Sequence, residues 1–184
     1  HATDMIVAFK LHHPKINISI QLGNSQSSFE RLLAYEADVG LIAEVNDDPR
    51  VVTLPYSSHS VVVFTNSDHP FYVRDSISIH ELKDQKVVRR EIGSTTRVAI
   101  ERALQEHNVR IDVVLEIGSR EGIWKSVEQG LGIGFVADFE FIPHPNLRAI
   151  PIHDAVISTQ YFLAYLKERQ SSRLIRAFCE VSQT

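Results

Sequence analysis

The order of helical and strand patterns along these 184 residues predicts an α/β fold with a mainly parallel sheet. Three observations lead to it. Apolar residues recur at helical spacing in some segments, short apolar or alternating runs lie between those segments, and glycine-serine or turn clusters separate the two. Hydrophobic residues make up 43% and charged residues 23% of the chain, as in ordinary globular proteins. We expect one domain or two small lobes.

The first part of the chain predicts two helices and two strands. Residues 2–12 have helical spacing, and the helix should end before Pro14. Residues 16–22 (INISIQL) alternate strictly and predict a strand, which a second helix through Leu32 should follow. Residues 39–43 (VGLIA) are short and continuously apolar, as expected of a strand covered on both faces.

The rest of the chain continues the same alternation after a turn cluster at 46–49. Strands are expected at 51–55, 60–65, 86–89, 113–117, 132–137, 147–152 and 161–166. Helices are expected at 79–82, from Gly93-Ser94-Thr95 to about His107, from Gly118-Ser119 to Gly130, and at 171–181.

Three junctions share one pattern, in which a strand leads into a glycine, a serine and then a helix, at 23–25, 93–95 and 118–120. Ligands of parallel α/β sheets bind beyond the carboxyl ends of the strands. A helix start has unpaired N–H groups and partial positive charge, so it attracts anions. The alternative is structural, because serine is also a preferred N-cap that stabilises a helix by about 1 kcal/mol. Three such junctions favour a shared anion site.

Two arginines follow these junctions. If Ser94 caps its helix, Arg97 occupies the third position, where a cation opposes the helix dipole. A bound anion would explain this arginine, and an ion pair with Glu101 one turn later is the alternative. Arg120 offers the same two explanations, with Glu121 as its possible partner. We favour the anion for Arg97 and leave both explanations open for Arg120.

The sequence contains no pattern that predicts catalysis, a metal or a cofactor. It has no P-loop, no G-x-S-x-G turn and no H-x-x-x-H pair. The lone Cys179 fits a helix core and a reducing compartment. A net charge of −4 without a basic run argues against direct binding to nucleic acid. No apolar run is long enough for a membrane span.

The order of the segments resembles the effector-binding domain of LysR-type transcriptional regulators. The helix end Val127-Glu128-Gln129-Gly130-Leu131-Gly132-Ile133-Gly134 is the most characteristic stretch. The other stretches that support the resemblance are Phe9-Lys10-Leu11-His12-His13-Pro14 with Ile16-Asn17-Ile18, Gly23, Leu32-Leu33, Ala37-Asp38-Val39-Gly40-Leu41-Ile42, and Val61-Val62-Val63-Phe64 with His69-Pro70.

This resemblance implies a fold like that of type 2 periplasmic binding proteins, with two Rossmann-like lobes joined by two crossover strands and an effector in the cleft. Lobe one would comprise 1–64 and 152–184, and lobe two 65–151. Members of the family act in the cytoplasm as homodimers or homotetramers, and the effector controls DNA binding by an N-terminal winged helix-turn-helix domain. We expect that domain, and the first core strand of the family, to be missing from this chain.

The combined interpretation is a sensor that binds a small anionic effector without chemistry on it. The expected ligand contacts are Thr3, Asn24, Ser25, Ser94, Thr95, Thr96, Arg97, Ser119 and Arg120. The stretches 93–97, 116–121 and 139–143 resemble the branch of the family associated with use of phosphonates, notably 2-aminoethylphosphonate. A solute-binding transport protein for a small anion is the alternative, and an enzyme on the same fold is a third hypothesis that no residue set supports.

Overall fold

The computed structural model describes residues 2–43 and 47–181. The helices are α1 (Ala2–His12), α2 (Ser25–Leu33), α3 (Thr95–Glu106), α4 (Arg120–Glu128) and α5 (Arg173–Val181). The strands are β1 (Gly40–Ala43), β2 (Val51–Asn66), β3 (Lys86–Arg90), β4 (Asp112–Ile117), β5 (Gly134–Ala137), β6 (Leu147–Ile150) and β7 (Ser158–Leu166). Short 3-10 helices lie at Pro70–Val73, Ile79–Leu82, Asp138–Glu140 and Lys167–Arg169.

The chain divides into two compact units, which we call unit one (His1–Ser57 with Gln160–Thr184) and unit two (Ser58–Thr159). The sequence placed the two boundaries after 64 and after 151. No turn marks the observed boundary near Ser57, because β2 continues unbroken through it. The sequence predicted two strands there and the structure has one, since the polar stretch between them keeps an extended backbone.

Unit one is built on β7, which pairs antiparallel with β1 and lies between β1 and β2 in the sheet. Helix α2 covers β1 through the fully buried Leu32, and Gly40 lies close beneath that side chain. Helices α1 and α5 pack together, with the rings of Phe9 and Phe178 at 5.3 Å between centroids. Burial of these apolar side chains is what holds the unit together.

Unit two contains antiparallel and parallel pairs of strands. Strand β2 pairs antiparallel with β5 and with β6, so Val63 lies opposite both Phe135 and Ile150. Strands β3 and β4 are parallel, and helices α3 and α4 pack on β3. The larger core of this unit centres on the fully buried Val63, Leu82 and Val87.

Gly132 follows α4 at a place where the chain packs closely against β3. The N–H of Ile133 donates to the carbonyl of Lys86 at 2.8 Å, and the N–H of Val88 donates to the carbonyl of Ile133 at 2.9 Å. A Cβ atom at position 132 would lie 2.5 Å from the Lys86 carbonyl oxygen. The chain can therefore approach β3 this closely only with glycine at this position.

Two predictions about strands were wrong. Residues 16–22 form no ladder with any described residue, and the exposed fraction of Leu22 reaches 89%. A segment with an alternating pattern forms a strand only where a neighbouring strand hydrogen-bonds to its N–H and C=O groups. The sheet is also not mainly parallel, since β1–β7, β2–β5 and β2–β6 are antiparallel and β3–β4 is the parallel ladder of the described residues.

Candidate functional site

The start of α3 is the first part of the candidate site. Gly93 has a φ of +88°, a backbone conformation that disfavours any side chain, and it turns the chain from β3 into the helix. Ser94 is the N-cap residue, yet its side chain accepts no hydrogen bond from the helix. Ser94 and Thr96 are both buried, at 3% and 5% exposure. The hydroxyl of Ser94 therefore does not cap α3, although its position suggests that it would.

Arg97 directly follows Thr96 and is held by carboxylates. Its Nε donates to Glu101 Oε1 at 2.9 Å, and its Nη1 lies 3.0 Å from Glu116 Oε2. Nη1 also donates to the carbonyl of Arg90 at 3.1 Å. The pair with Glu101 is the alternative that the sequence offered. These contacts use Nε and Nη1 of the guanidinium.

Arg89 completes this ion-pair network, which the sequence analysis missed. It lies 3.1 Å from Glu101 and 2.7 Å from Glu116, and its register partner across β3 and β4 is Glu116 itself. The hydrogen bond from Arg89 lowers the pKa of Glu116, and Arg97 lowers it further. Arginines on β3 and carboxylates on β4 were a signal, but only the register shows that Arg89 and Glu116 face each other.

The start of α4 differs from that of α3. Ser119 Oγ accepts a hydrogen bond from the N–H of Gly122 at 3.1 Å, so this serine is a structural cap. Arg120 pairs with Glu140 at 2.7 Å, rather than with Glu121, the possible partner that the sequence left open. Glu140 comes from the short helix after β5, and no sequence spacing connects it to Arg120. The side chain of Arg120 is 58% exposed and that of Glu140 is 10% exposed.

One cavity joins the two helix starts, and we call it the α3–α4 cavity. Thr96 from α3 and Arg120 from α4 both line it, with Arg90 and Glu140 as further polar walls. Its apolar lining is Phe64, Ile123, Trp124, Phe135 and Val136. The cavity volume is about 30 Å³, enough for a water molecule and too small for a ligand of several atoms. A larger ligand would have to lie at its mouth, where Arg120 is exposed.

Two of the three predicted contacts in unit one, Asn24 and Ser25, have structural partners. Asn24 caps α2, because its Oδ1 accepts from the N–H of Ser27 at 2.9 Å. Ser25 Oγ accepts from the N–H of Ala43 at 2.9 Å and so connects the start of α2 to the end of β1. Thr3 lies exposed in the first turn of α1. Of the nine predicted ligand contacts, the structure brings Thr96 and Arg120 to one cavity, with Ser94, Thr95 and Arg97 in the first turn beside it.

Residues 2–43 and 47–181 contain neither a metal-binding cluster nor a membrane-spanning helix. No group of three His, Cys, Asp or Glu side chains in this part of the chain is arranged to hold a metal ion. None of its helices is both long and apolar enough to cross a membrane.

Comparisons with known proteins address the identity of the chain. All of it, residues 1–184, matches the family described as LysR substrate binding domain. The chain is 28% identical over 176 residues to the HTH-type transcriptional activator CmpR of Synechocystis sp., covering 94% of this chain and 58% of CmpR. It is 26% identical over 179 residues to the RuBisCO operon transcriptional regulator of Acidithiobacillus ferrooxidans, covering 96% and 58%. The chain thus spans less than two thirds of these relatives. Neither relative is named for phosphonate use or as an enzyme.

Solved structures show the same fold. The regulatory domain of CcmR from Synechocystis, solved in complex with 2-PG, has a TM-score of 0.87 at 25% identity and covers 98% of this chain and 88% of that one. The effector binding domain of QuiR, in complex with shikimate, has a TM-score of 0.90 at 21% identity with the same coverage, which shows the fold alone. The predicted fold class, α/β and like that of type 2 periplasmic binding proteins, is confirmed. The chain belongs to the LysR substrate binding domain family.

Proposed function

We propose that this chain is the effector-sensing part of a LysR-type transcription regulator and that unit two binds a small anion at the starts of α3 and α4. The observation that carries the proposal is the meeting of Thr96 and Arg120 at one cavity beside a buried Ser94 that does not cap its helix. First-turn N–H groups of the two helices would supply further donors. The predicted contacts from Thr3, Asn24 and Ser25 remain predictions.

The effector class follows from charge. Two helix N-termini and the exposed Arg120 favour a negatively charged group. A phosphonate remains our candidate on the resemblance of 93–97, 116–121 and 139–143, and the complex of CcmR with 2-PG supports a small ligand in this family. Binding would favour one conformation of the protein by the difference in affinity between its states.

The whole regulator would act on DNA through an N-terminal winged helix-turn-helix domain, as a homodimer or homotetramer in the cytoplasm. Relatives named as transcriptional regulators support this and argue against a solute-binding transport protein. They equally support the expectation that the chain turns over no substrate.

Calorimetric titration with 2-aminoethylphosphonate, phosphate, sulfate and 2-PG tests the proposal. We expect at least one to bind, and we expect Ser94→Ala and Arg97→Ala to weaken it by about tenfold or more, as for a lost hydrogen bond to a charged group. Arg102→Ala is the matched control, because Arg102 lies exposed on the same helix. Affinity that stays unchanged in both Ser94→Ala and Arg97→Ala would rule out this site.

A further inference from the structure

A second and larger cavity lies in unit one, where β7 ends and β2 begins. Its volume is about 390 Å³, within the usual range of about 300–1,000 Å³ for small-molecule pockets. We call it the Tyr35 cavity, and its lining is Leu33, Tyr35, Pro49, Arg50, Leu166, Lys167 and Glu168. None of these residues belongs to the α3–α4 cavity.

Backbone hydrogen bonds fix the frame of this cavity. The N–H of Lys167 donates to the carbonyl of Arg50 at 2.7 Å, which joins the end of β7 to the start of β2. Asp48 holds both the backbone N–H of Arg50, at 2.9 Å, and its guanidinium, at 2.7 and 3.0 Å. These bonds lower the pKa of Asp48 from 3.8 to about 2, so the pair stays charged at neutral pH. The position of Arg50 is therefore set before any ligand arrives.

Among the residues that line the cavity, Tyr35 has an unusual backbone conformation. It follows α2 with a φ of 63°, and the N–H of Glu36 donates back to the carbonyl of Arg31 at 2.9 Å, as in a helix end that normally carries glycine. A side chain in this conformation costs about 1 kcal/mol. The Tyr35 ring lies under the guanidinium of Arg169, 5.2 Å from its centroid, and its hydroxyl bonds to Glu168. The chain thus places a ring beside the cavity at a position where the backbone favours glycine.

The charges and apolar walls of the cavity indicate what it would bind. The cations of the lining are Arg50 and Lys167, and its carboxylate is Glu168. Asp48 already pairs with Arg50 and the Tyr35 hydroxyl bonds to Glu168, so Lys167 is the cation that a ligand would meet. Leu33, Pro49 and Leu166 supply an apolar surface beside them. A lining of seven residues is small for a protein partner, since protein interfaces use about 20–30 residues on each side. We propose that the Tyr35 cavity binds a small monocarboxylic acid with an apolar body, at a site separate from the anion site of unit two.

Phenylacetate is the probe for this proposal, and phenylacetamide is its uncharged counterpart. We expect phenylacetate to bind with a dissociation constant of about 1 mM by calorimetry and to shift amide NMR signals of residues that line the Tyr35 cavity. Phenylacetamide should bind about tenfold more weakly, because it lacks the charge that Lys167 attracts. Equal affinity for the two compounds, or NMR shifts confined to unit two, would overturn this proposal. The proposed anion site of unit two would not be affected by either result.

Two variants test whether Tyr35 and Lys167 contribute to binding in the Tyr35 cavity. Tyr35→Gly removes the ring and relieves the left-handed backbone, so the fold should persist while phenylacetate binding falls about tenfold. Lys167→Gln should lower the affinity by a similar factor, and Lys15→Gln, an exposed lysine of unit one away from the cavity, should leave it unchanged. If Tyr35→Gly fails to fold, Lys167→Gln decides alone. Affinity that does not change in Lys167→Gln contradicts the proposal.

Discussion

Ser94 and Ser119 are the same residue at the same helix position, and they make different contacts. Ser119 Oγ accepts from Gly122, whereas Ser94 accepts nothing from α3. A serine cap stabilises by about 1 kcal/mol, so Ser119→Ala should lower the free energy of unfolding by about that amount. Ser94→Ala should change it by only a few tenths of a kcal/mol, because no hydrogen bond is lost.

Urea unfolding of the two alanine variants beside the unsubstituted chain measures both free energies. Ser94→Thr serves as a control for side-chain volume at the buried position. Equal destabilisation by the two alanine substitutions would mean that Ser94 also acts as a cap, and the functional interpretation of Ser94 would lose its basis.

The sequence predicted some residue partners and not others. Glu101 was the alternative partner that the sequence offered for Arg97, because helix residues four apart are neighbours. Glu140 could not be expected for Arg120, because their contact depends on where the chain after β5 lies against α4. Arg90 and Trp124 joined the candidate site for the same reason, since a cavity wall is a property of packing. Local spacing determined the first contact and tertiary structure determined the others.

At the level of elements, residues 16–22 show that an alternating sequence pattern does not by itself produce a strand. It has the strongest alternation in the chain, yet it forms no ladder among the described residues. Its amide hydrogens should therefore exchange with solvent much faster than those of β2 and β7, which are hydrogen-bonded within sheets.

Hydrogen exchange followed by mass spectrometry measures this difference, with the same chain in denaturant as the unprotected reference. We expect 16–22 to exchange nearly as fast as in the denatured chain. Protection equal to that of β7 would show that the segment has a strand partner in solution.

Helix ends were easier to predict than strand pairing. Caps and glycines are local, so α1, α3 and α5 begin and end within about two residues of their expected bounds. The direction of a strand relative to its neighbour is not local. The chain at β5 has both directions, because Ile133 bridges β3 in parallel while β5 itself pairs antiparallel with β2. The alternation of elements therefore predicted the class and not the pairing.

The whole molecule is two units that share strands. Strand β2 has hydrogen-bonded residues on both sides of the boundary near Ser57, and β7 begins in unit two and continues through unit one. A strand cannot lose its partners in one unit without loosening its continuation in the other. We therefore expect the two units to unfold together, in one cooperative transition.

Matched core substitutions test this cooperativity. Leu32 in unit one and Leu82 in unit two are both fully buried, and Leu→Ala at such sites costs about 2–5 kcal/mol. In a chain of this size that lowers the melting temperature by roughly 4–20 °C. Differential scanning calorimetry should show a single transition that both Leu32→Ala and Leu82→Ala move down. If Leu32→Ala splits the transition in two and leaves one part unmoved, the units are independent, and a ligand bound to unit two could not stabilise unit one.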